Sequence, residues 1–264
     1  MLNQKKFLVT GDGKRLSIER LGTGRKEVVV IVPGYNQSKE TVVFRKIAAD
    51  LVKDFDCISV DMRGHGLSEG LYTFGSKETD DLKAIIDYAH KHYKKVHLLG
   101  FSMGAFTAIN EVARFNNVSD MALVSAPMSF RDIEGHFWKP RSIRIGIHSI
   151  REGDRSVTLG NPFLKKEAPK ERIADIKVPV LFVHGDLDPI INVRHCRELY
   201  SKANEPKKLK IFEGGNHAEE LYRQFPEEFI NTVKVFFKEG ANDGKCEDKG
   251  GDRDKPCEQA ALVG

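Results

Sequence analysis

Gly100-Phe101-Ser102-Met103-Gly104 is the stretch whose reading decides the fold. It follows the apolar run Val96-His97-Leu98-Leu99 and precedes a segment with helical spacing. A serine with glycine two residues before and two after, at a strand-to-helix turn, is the pattern of a nucleophile elbow. The flanking residues must be tiny because strand and helix nearly touch there. The turn forces the serine backbone into a strained region, and the hydroxyl stands clear of the chain. The N–H of Met103 then opens the helix and faces the same space as the hydroxyl. Five residues are few enough to match by chance, so the surrounding pattern has to carry the reading.

That pattern is an alternation of short β-rich runs with helical stretches. Strands are predicted at Lys6–Thr10, Arg15–Arg20, Glu27–Val32, Asp56–Asp61, Lys95–Phe101, Met121–Ser125, Val178–His184 and Lys207–Phe212. Gly11-Asp12-Gly13 separates the first two, which read as a hairpin. From the third onward each strand is followed by a helix or an insert, the signature of an α/β domain with a mostly parallel sheet covered on both faces. Val43, Phe44, Ile47, Leu51 and Val52 share one helical face, with Ser38 as the expected N-cap. Leu82, Ile85, Ile86 and Ala89 share another, after Ser76, with Glu78, Asp80 and Asp81 in the first turn where the helix dipole favours acids. A third helix starts at Met103 and is small on one side (Gly104, Ala105, Ala108), so that it can lie close to the sheet. Further helices are predicted over about 193–203 and 226–238.

Two regions break the alternation. Residues 129–177 are too long for a simple crossover between the sixth and seventh strands. Within them Ile143, Ile145 and Ile147 alternate with polar or small residues, so a strand period competes with helix. Residues 240–264 are rich in Gly, Lys, Asp and Glu without apolar periodicity and read as a disordered tail. The domain itself is expected to span 1–239.

Composition narrows the function classes. The 264 residues suit one α/β domain, and 40% are apolar, enough for a sizeable core. A net charge of +4, with no Lys/Arg-rich run, gives no footprint for nucleic acid. No apolar run is long enough to span a membrane, and Met1–Lys6 lacks the apolar core of a signal peptide, so a cytoplasmic protein without integral membrane contact is expected. Cys57, Cys196, Cys246 and Cys257 are widely spaced and fit reduced thiols better than a metal site. No Gly-Lys-Ser/Thr loop or dinucleotide-binding glycine pattern is present, and no cofactor and no metal are expected.

A serine hydroxyl needs a general base, and the base needs a group that fixes its tautomer. The seventh strand runs out into His184-Gly185-Asp186-Leu187-Asp188-Pro189, and the eighth into Glu213-Gly214-Gly215-Asn216-His217. Ser102, an aspartate at 186 or 188, and His217 thus follow in the order serine, acid, histidine. His217 sits in a Gly-Gly loop after the last strand and is the candidate base. His97 and His184 lie within strands and His65 in a loop after the fourth, and all three read as structural.

Taken with Val32-Pro33-Gly34-Tyr35 and Asp61-Met62-Arg63-Gly64-His65-Gly66-Leu67-Ser68, these stretches resemble the α/β-hydrolase superfamily, on the branch of compact esterases, monoacylglycerol lipases and serine aminopeptidases. The likeness covers about residues 5–238. It implies an eight-stranded, mostly parallel sheet and a small cap at residues 129–177. It implies Asp188, through the family's Gly-x-x-Asp pattern, as the acid, with Asp186 bonding backbone in the loop. It also implies an oxyanion hole built from the backbone N–H groups of Met103 and Tyr35. Relatives commonly carry His-Gly where this chain has Pro33-Gly34; the donor is backbone, so the hole tolerates the change, and Gly34 keeps the conformational freedom.

The expected substrate is a small-molecule ester of short-to-medium acyl chain, cleaved through an acyl-enzyme. Thioesters, monoacylglycerols and peptides would use the same three residues, and a hydrolase fold without catalysis would serve as a binding module. Tyr35, Phe137, Trp138, Ile143 and Ile147 are the candidate pocket lining. The Asp61–Gly66 stretch is assigned no chemistry, with Arg63 expected to pin loops.

Overall fold

The computed structural model describes residues 2–134 and 157–240. Eight strands form one sheet in the order β1-β2-β4-β3-β5-β6-β7-β8. They are β1 Leu2–Val9, β2 Arg15–Gly22, β3 Glu27–Val32, β4 Asp56–Val60, β5 Lys95–Phe101, β6 Asp120–Val124, β7 Val180–Gly185 and β8 Lys207–Phe212. β1 and β2 form the predicted hairpin, with Val9 opposite Arg15, and β1 runs four residues further back than the sequence suggests. β2 is antiparallel to β4, and every later pairing is parallel. The central strands are buried on both faces, which is why β3 reads Glu-Val-Val-Val-Ile-Val rather than alternating.

Helices cover both faces. Leu82, Ile85, Ile86 and Ala89 of α2 (Glu78–His90) pack on one side with Ala105, Ala108 and Ile109 of α3 (Met103–Phe115). Val43, Phe44, Ile47 and Leu51 of α1 (Val42–Leu51) pack on the other with Phe229, Val233 and Phe237 of the last helix, Pro226–Gly240. The N-terminal boundaries correct the sequence reading. Helix α1 starts at Val42, so Ser38 is not its cap: Ser38 Oγ instead accepts the Glu40 N–H at 3.2 Å, in a turn where Thr41 Oγ1 accepts the Ser38 N–H at 3.0 Å. Ahead of α2 the ordering group is Glu78, whose carboxylate accepts the N–H groups of Thr73 (2.6 Å) and Gly75 (2.7 Å). Ser76 reaches away from the helix and donates to the Lys165 carbonyl at 2.8 Å.

Of the predicted cap, residues 129–134 and 157–177 are described. They carry short helices at Phe130–Glu134 and Pro169–Arg172 and a 3-10 turn at Ile173–Asp175. This segment is stitched to the body: the Tyr72 N–H donates to the Thr158 carbonyl at 2.9 Å, the Thr158 N–H to the Gly64 carbonyl at 2.8 Å, and Asn110 Nδ2 to the Glu167 carbonyl at 3.0 Å. Phe137, Trp138, Ile143 and Ile147, four of the five predicted pocket residues, lie outside the described residues, as does the tail after residue 240. Among the described residues no helix is long and apolar enough to cross a membrane.

Buried charge is mostly paired. Arg63 donates to Asp81 through Nη2 (2.6 Å) and Nε (3.0 Å) and to Asp12 through Nη1 (3.1 Å). It thereby pins the first hairpin, the loop after β4 and α2 together, as expected of it. Glu111, wholly buried on α3, is different: its Oε1 accepts from Asn117 Nδ2 at 2.9 Å, while its Oε2 finds no partner among the described residues. Burial pushes its carboxyl up to about 7. The folded state therefore keeps a proton that the unfolded chain releases near pH 4.5, and stability falls as pH rises from about 4.5 to 7. Glu111→Gln removes that loss. Thermal melts should show the variant gaining on wild type by about 2–3 kcal/mol between pH 5 and pH 8, and a difference that does not change with pH would refute the assignment.

Candidate active site

The strand order reverses at β3, which lies between β4 and β5, so the loops leaving β3 and β5 diverge above a crevice at their C-terminal ends. Ser102 follows β5 directly, at φ 49° and ψ −115°, a backbone conformation that costs a non-glycine residue about 1–3 kcal/mol. The glycines of the pentapeptide explain how the turn is possible. A Cβ on Gly100 would come within 2.9 Å of the Ala105 Cα, and one on Gly104 within 2.4 Å of the carbonyl oxygens of Val32 and Pro33. Strand β5, helix α3 and the end of β3 are thus in backbone contact at these positions. The Ser102 N–H is held by the Val124 carbonyl at 2.8 Å.

His217 lies in the loop after β8, and its ring joins two groups. Nδ1 is 2.7 Å from Asp188 Oδ2, and Nε2 is 2.9 Å from Ser102 Oγ. A carboxylate can only accept, so Nδ1 carries the proton and donates it. Nε2 then presents a lone pair, which accepts the Ser102 hydroxyl. All three residues are buried to within a tenth of their surface. Asp188 is fixed from both sides: its Oδ1 accepts the N–H groups of Ile190 and Ile191, each at 2.9 Å. The neighbouring His217 and His184 rings hold its carboxyl well below the usual carboxylate range, against the opposing effect of its burial. Asp186 has another task, its Oδ1 accepting the Gly214 N–H at 2.7 Å. The structure thus joins Asp188, and not Asp186, to His217.

The loop after β3 lies against the serine. A Cβ on Gly34 would sit 3.3 Å from Ser102 Cβ, so this glycine is there for space. The backbone freedom expected of Gly34 is used two residues later, at Asn36, φ 60°. Tyr35 follows Gly34 and stands beside Tyr72 and Phe74, with ring centroids 5.6 and 6.0 Å away. Met103 is the first residue of α3, so its N–H has no carbonyl partner within the helix. Next to the serine, Met103 packs with Phe106, Ile133 and Ile191, with Tyr35, Phe130 and Ile190 against them. Among the described residues, this apolar wall includes Tyr35 and Met103 of the site residues named from sequence.

Several further side chains support the site through partners that the sequence did not show. His65 Nδ1 donates to the Arg63 carbonyl at 3.1 Å, and its Nε2 accepts the Asn36 N–H at 3.2 Å. It braces the loop in which Pro33 stands where the resemblance implies a histidine. Burial lowers its pKa to about 4, which keeps the ring neutral and able to accept. Ser125, at φ 49°, accepts the Ala218 N–H at 2.9 Å and so anchors the residue after His217. His184 donates through Nε2 to the Ile191 carbonyl at 2.8 Å and fixes the turn that holds Asp188. His97 pairs with Asp120 at 2.8 Å, inside the sheet. All three histidines read as structural in the sequence make bonds of that kind here. Among the described residues no cluster of three or more His, Cys, Asp or Glu side chains could hold a metal ion.

Known proteins share this architecture. Residues 27–140 match the family described as the α/β hydrolase fold. An uncharacterised Bacillus subtilis protein, YqkD, is 29% identical over 186 residues, which cover 66% of this chain and 61% of that protein. The chain therefore spans about 61% of the length of that relative. A mouse serine hydrolase, BPHL, is 22% identical over 263 residues, covering 87% of this chain and 85% of its own. An esterase of Pyrococcus furiosus superposes with a TM-score of 0.74 at 24% identity, covering 90% of this chain and 91% of that one. A Rhodococcus esterase, RhEst1, does so with a TM-score of 0.71 at 20% identity, covering 89% and 98%. With the strand order, the glycine contacts around Ser102 and these likenesses together, the chain has the α/β-hydrolase fold.

Proposed function

We propose that this protein is a serine hydrolase that cleaves carboxylic esters of short-to-medium acyl chain through an acyl-enzyme. The observation that carries the reading is the continuous hydrogen-bond chain from Ser102 through His217 to Asp188, at 2.9 and 2.7 Å. Ser102 Oγ attacks the acyl carbonyl as His217 Nε2 takes its proton. Asp188 holds the tautomer that leaves Nε2 free to accept, and stabilises the imidazolium that forms. The Met103 and Tyr35 N–H groups bind the developing oxyanion. His217 then protonates the leaving alcohol, and later takes a proton from the water that hydrolyses the acyl-serine.

The apolar wall of Met103, Phe106, Ile133 and Ile191 begins at the residue after the nucleophile and supplies the acyl site. Aliphatic and aromatic walls reward burial by about 0.8 kcal/mol per methylene, so specificity should climb with chain length until the site is full. Two free, buried thiols, Cys57 and Cys196, fit a cytoplasmic setting. A series of nitrophenyl esters of increasing acyl length, run beside matched thioesters and aminoacyl amides, tests the assignment. kcat/KM should peak at short-to-medium oxygen esters. A peak confined to long chains, or a thioester preference of a hundredfold or more, would replace the substrate class.

A further inference from the structure

Glu219 is a fully buried carboxylate, two residues beyond His217, that the proposed reaction does not use. Its Oε1 accepts a hydrogen bond from Nε2 of Gln37, which lies 182 residues away in the loop after β3 and is itself buried. The other end of the Gln37 amide, Oε1, stands 3.3 Å from where a Cβ on Gly34 would be, and Gly34 rests against Ser102. One side chain therefore spans from the loop that carries the oxyanion-side backbone to the turn that carries the histidine. Burial raises the Glu219 carboxyl.

No backbone pairing ties these two loops together, because β3 and β8 are separated by β5, β6 and β7. The His217 turn is held by Asp188 toward β7 and by Ser125 toward β6. Neither bond reaches the loop after β3. We infer that Gln37 and Glu219 are positioning residues, a strap that sets the spacing between the Gly34-Tyr35 backbone and His217. Its catalytic consequence rests on the serine-hydrolase reading above. The contact itself does not.

A pair of variants separates positioning from mere stability. Replacing both partners of a buried hydrogen bond by apolar groups of similar shape leaves little unsatisfied, so Gln37→Met/Glu219→Met should fold. Glu219→Gln keeps an oxygen for the Gln37 amide to bond. The double variant should lose about tenfold or more in kcat, as a misplacement of well under an ångström can, with KM within twofold. Glu219→Gln should recover most of that loss. Hydrogen exchange on residues 33–37 and 217–221 should quicken in the double variant and stay near wild type in Glu219→Gln. Unchanged kcat in the double variant of an active enzyme, or Glu219→Gln as impaired as the double, overturns the positioning role. Unchanged exchange overturns the strap. If wild type and Ser102→Ala prove equally inert, the hydrolase reading has failed, the positioning role falls with it, and exchange alone decides whether the strap exists.

Discussion

Ser102→Ala should lower ester turnover by about 10⁶-fold in kcat, leaving a residue of about 10³-fold over the uncatalysed reaction. The size follows from the geometry. Ser102 Oγ is the atom that His217 Nε2 reaches at 2.9 Å, and no other hydroxyl of the described residues is bonded to that nitrogen. Removing the oxygen removes the covalent route, while the backbone N–H groups of Met103 and the loop after β3 stay where they are. Those groups, with substrate binding, are what leave the residual rate. The change should cost little stability: alanine at φ 49° bears the same backbone strain as serine, and what is lost is one hydrogen bond, from the Ser102 hydroxyl to His217 Nε2. Steady-state kinetics on freshly purified variant, with a melt to show that it folds, measure both halves. A variant that keeps more than a tenth of wild-type kcat would mean another nucleophile.

Asp188→Asn should cost about 10⁴-fold in kcat, with the fold retained. The reason is tautomeric. Asp188 Oδ2 accepts the Nδ1 proton of His217 at 2.7 Å. An asparagine oriented by the Ile190 and Ile191 N–H groups keeps its oxygen on them, as Asp188 Oδ1 does at 2.9 Å, and turns its NH2 toward the ring. Nδ1 must then accept, the proton moves to Nε2, and Nε2 can no longer take a proton from Ser102. Asp186→Asn is the control. Among the described residues Asp186 Oδ1 accepts from the Gly214 N–H at 2.7 Å, a bond that the asparagine oxygen can keep, so kcat should stay within about threefold. Kinetics on the two variants side by side discriminate between the acids. Equal losses, or a larger loss at Asp186, would reassign the histidine's partner.

Much of the architecture was legible because the signals were local. The Gly100–Gly104 pattern located the turn, and the glycine contacts with Ala105, Val32 and Pro33 show why only those residues fit. The apolar runs Val28–Val32 of β3 and Val96–Leu99 of β5, the latter broken by His97, announced strands buried on both faces. The order of Ser102, Asp188 and His217 could be read because each follows a strand whose end faces the same crevice. Helix starts were less legible. Ser38 looked like a cap, yet the loop after β3 continues to Thr41 because Lys39 is drawn inward, its Nζ 2.5 Å from Asp61 Oδ2 and its N–H 2.8 Å from Oδ1. That attraction comes from Asp61, the residue after β4 and 22 positions further on, and no local pattern contains it.

The same holds for the supports of the site. His65 on Asn36, Ser125 on Ala218 and Gln37 on Glu219 are contacts across 29, 93 and 182 residues. Each depends on which strands become neighbours, and a single sequence read for period and motif does not carry that. Pro33 stands where the resemblance leads one to expect a histidine. His65, in the stretch given no chemistry, supplies a brace to the same loop from the other side.

The most direct test of the central claim, that Ser102 is a nucleophile activated by His217, is reaction of the folded protein with a fluorophosphonate followed by peptide mass spectrometry. Stoichiometric labelling confined to the peptide carrying Ser102, and lost in both Ser102→Ala and His217→Ala, is the expected result. Folded wild-type protein that takes no label, or label that persists in Ser102→Ala, would contradict it.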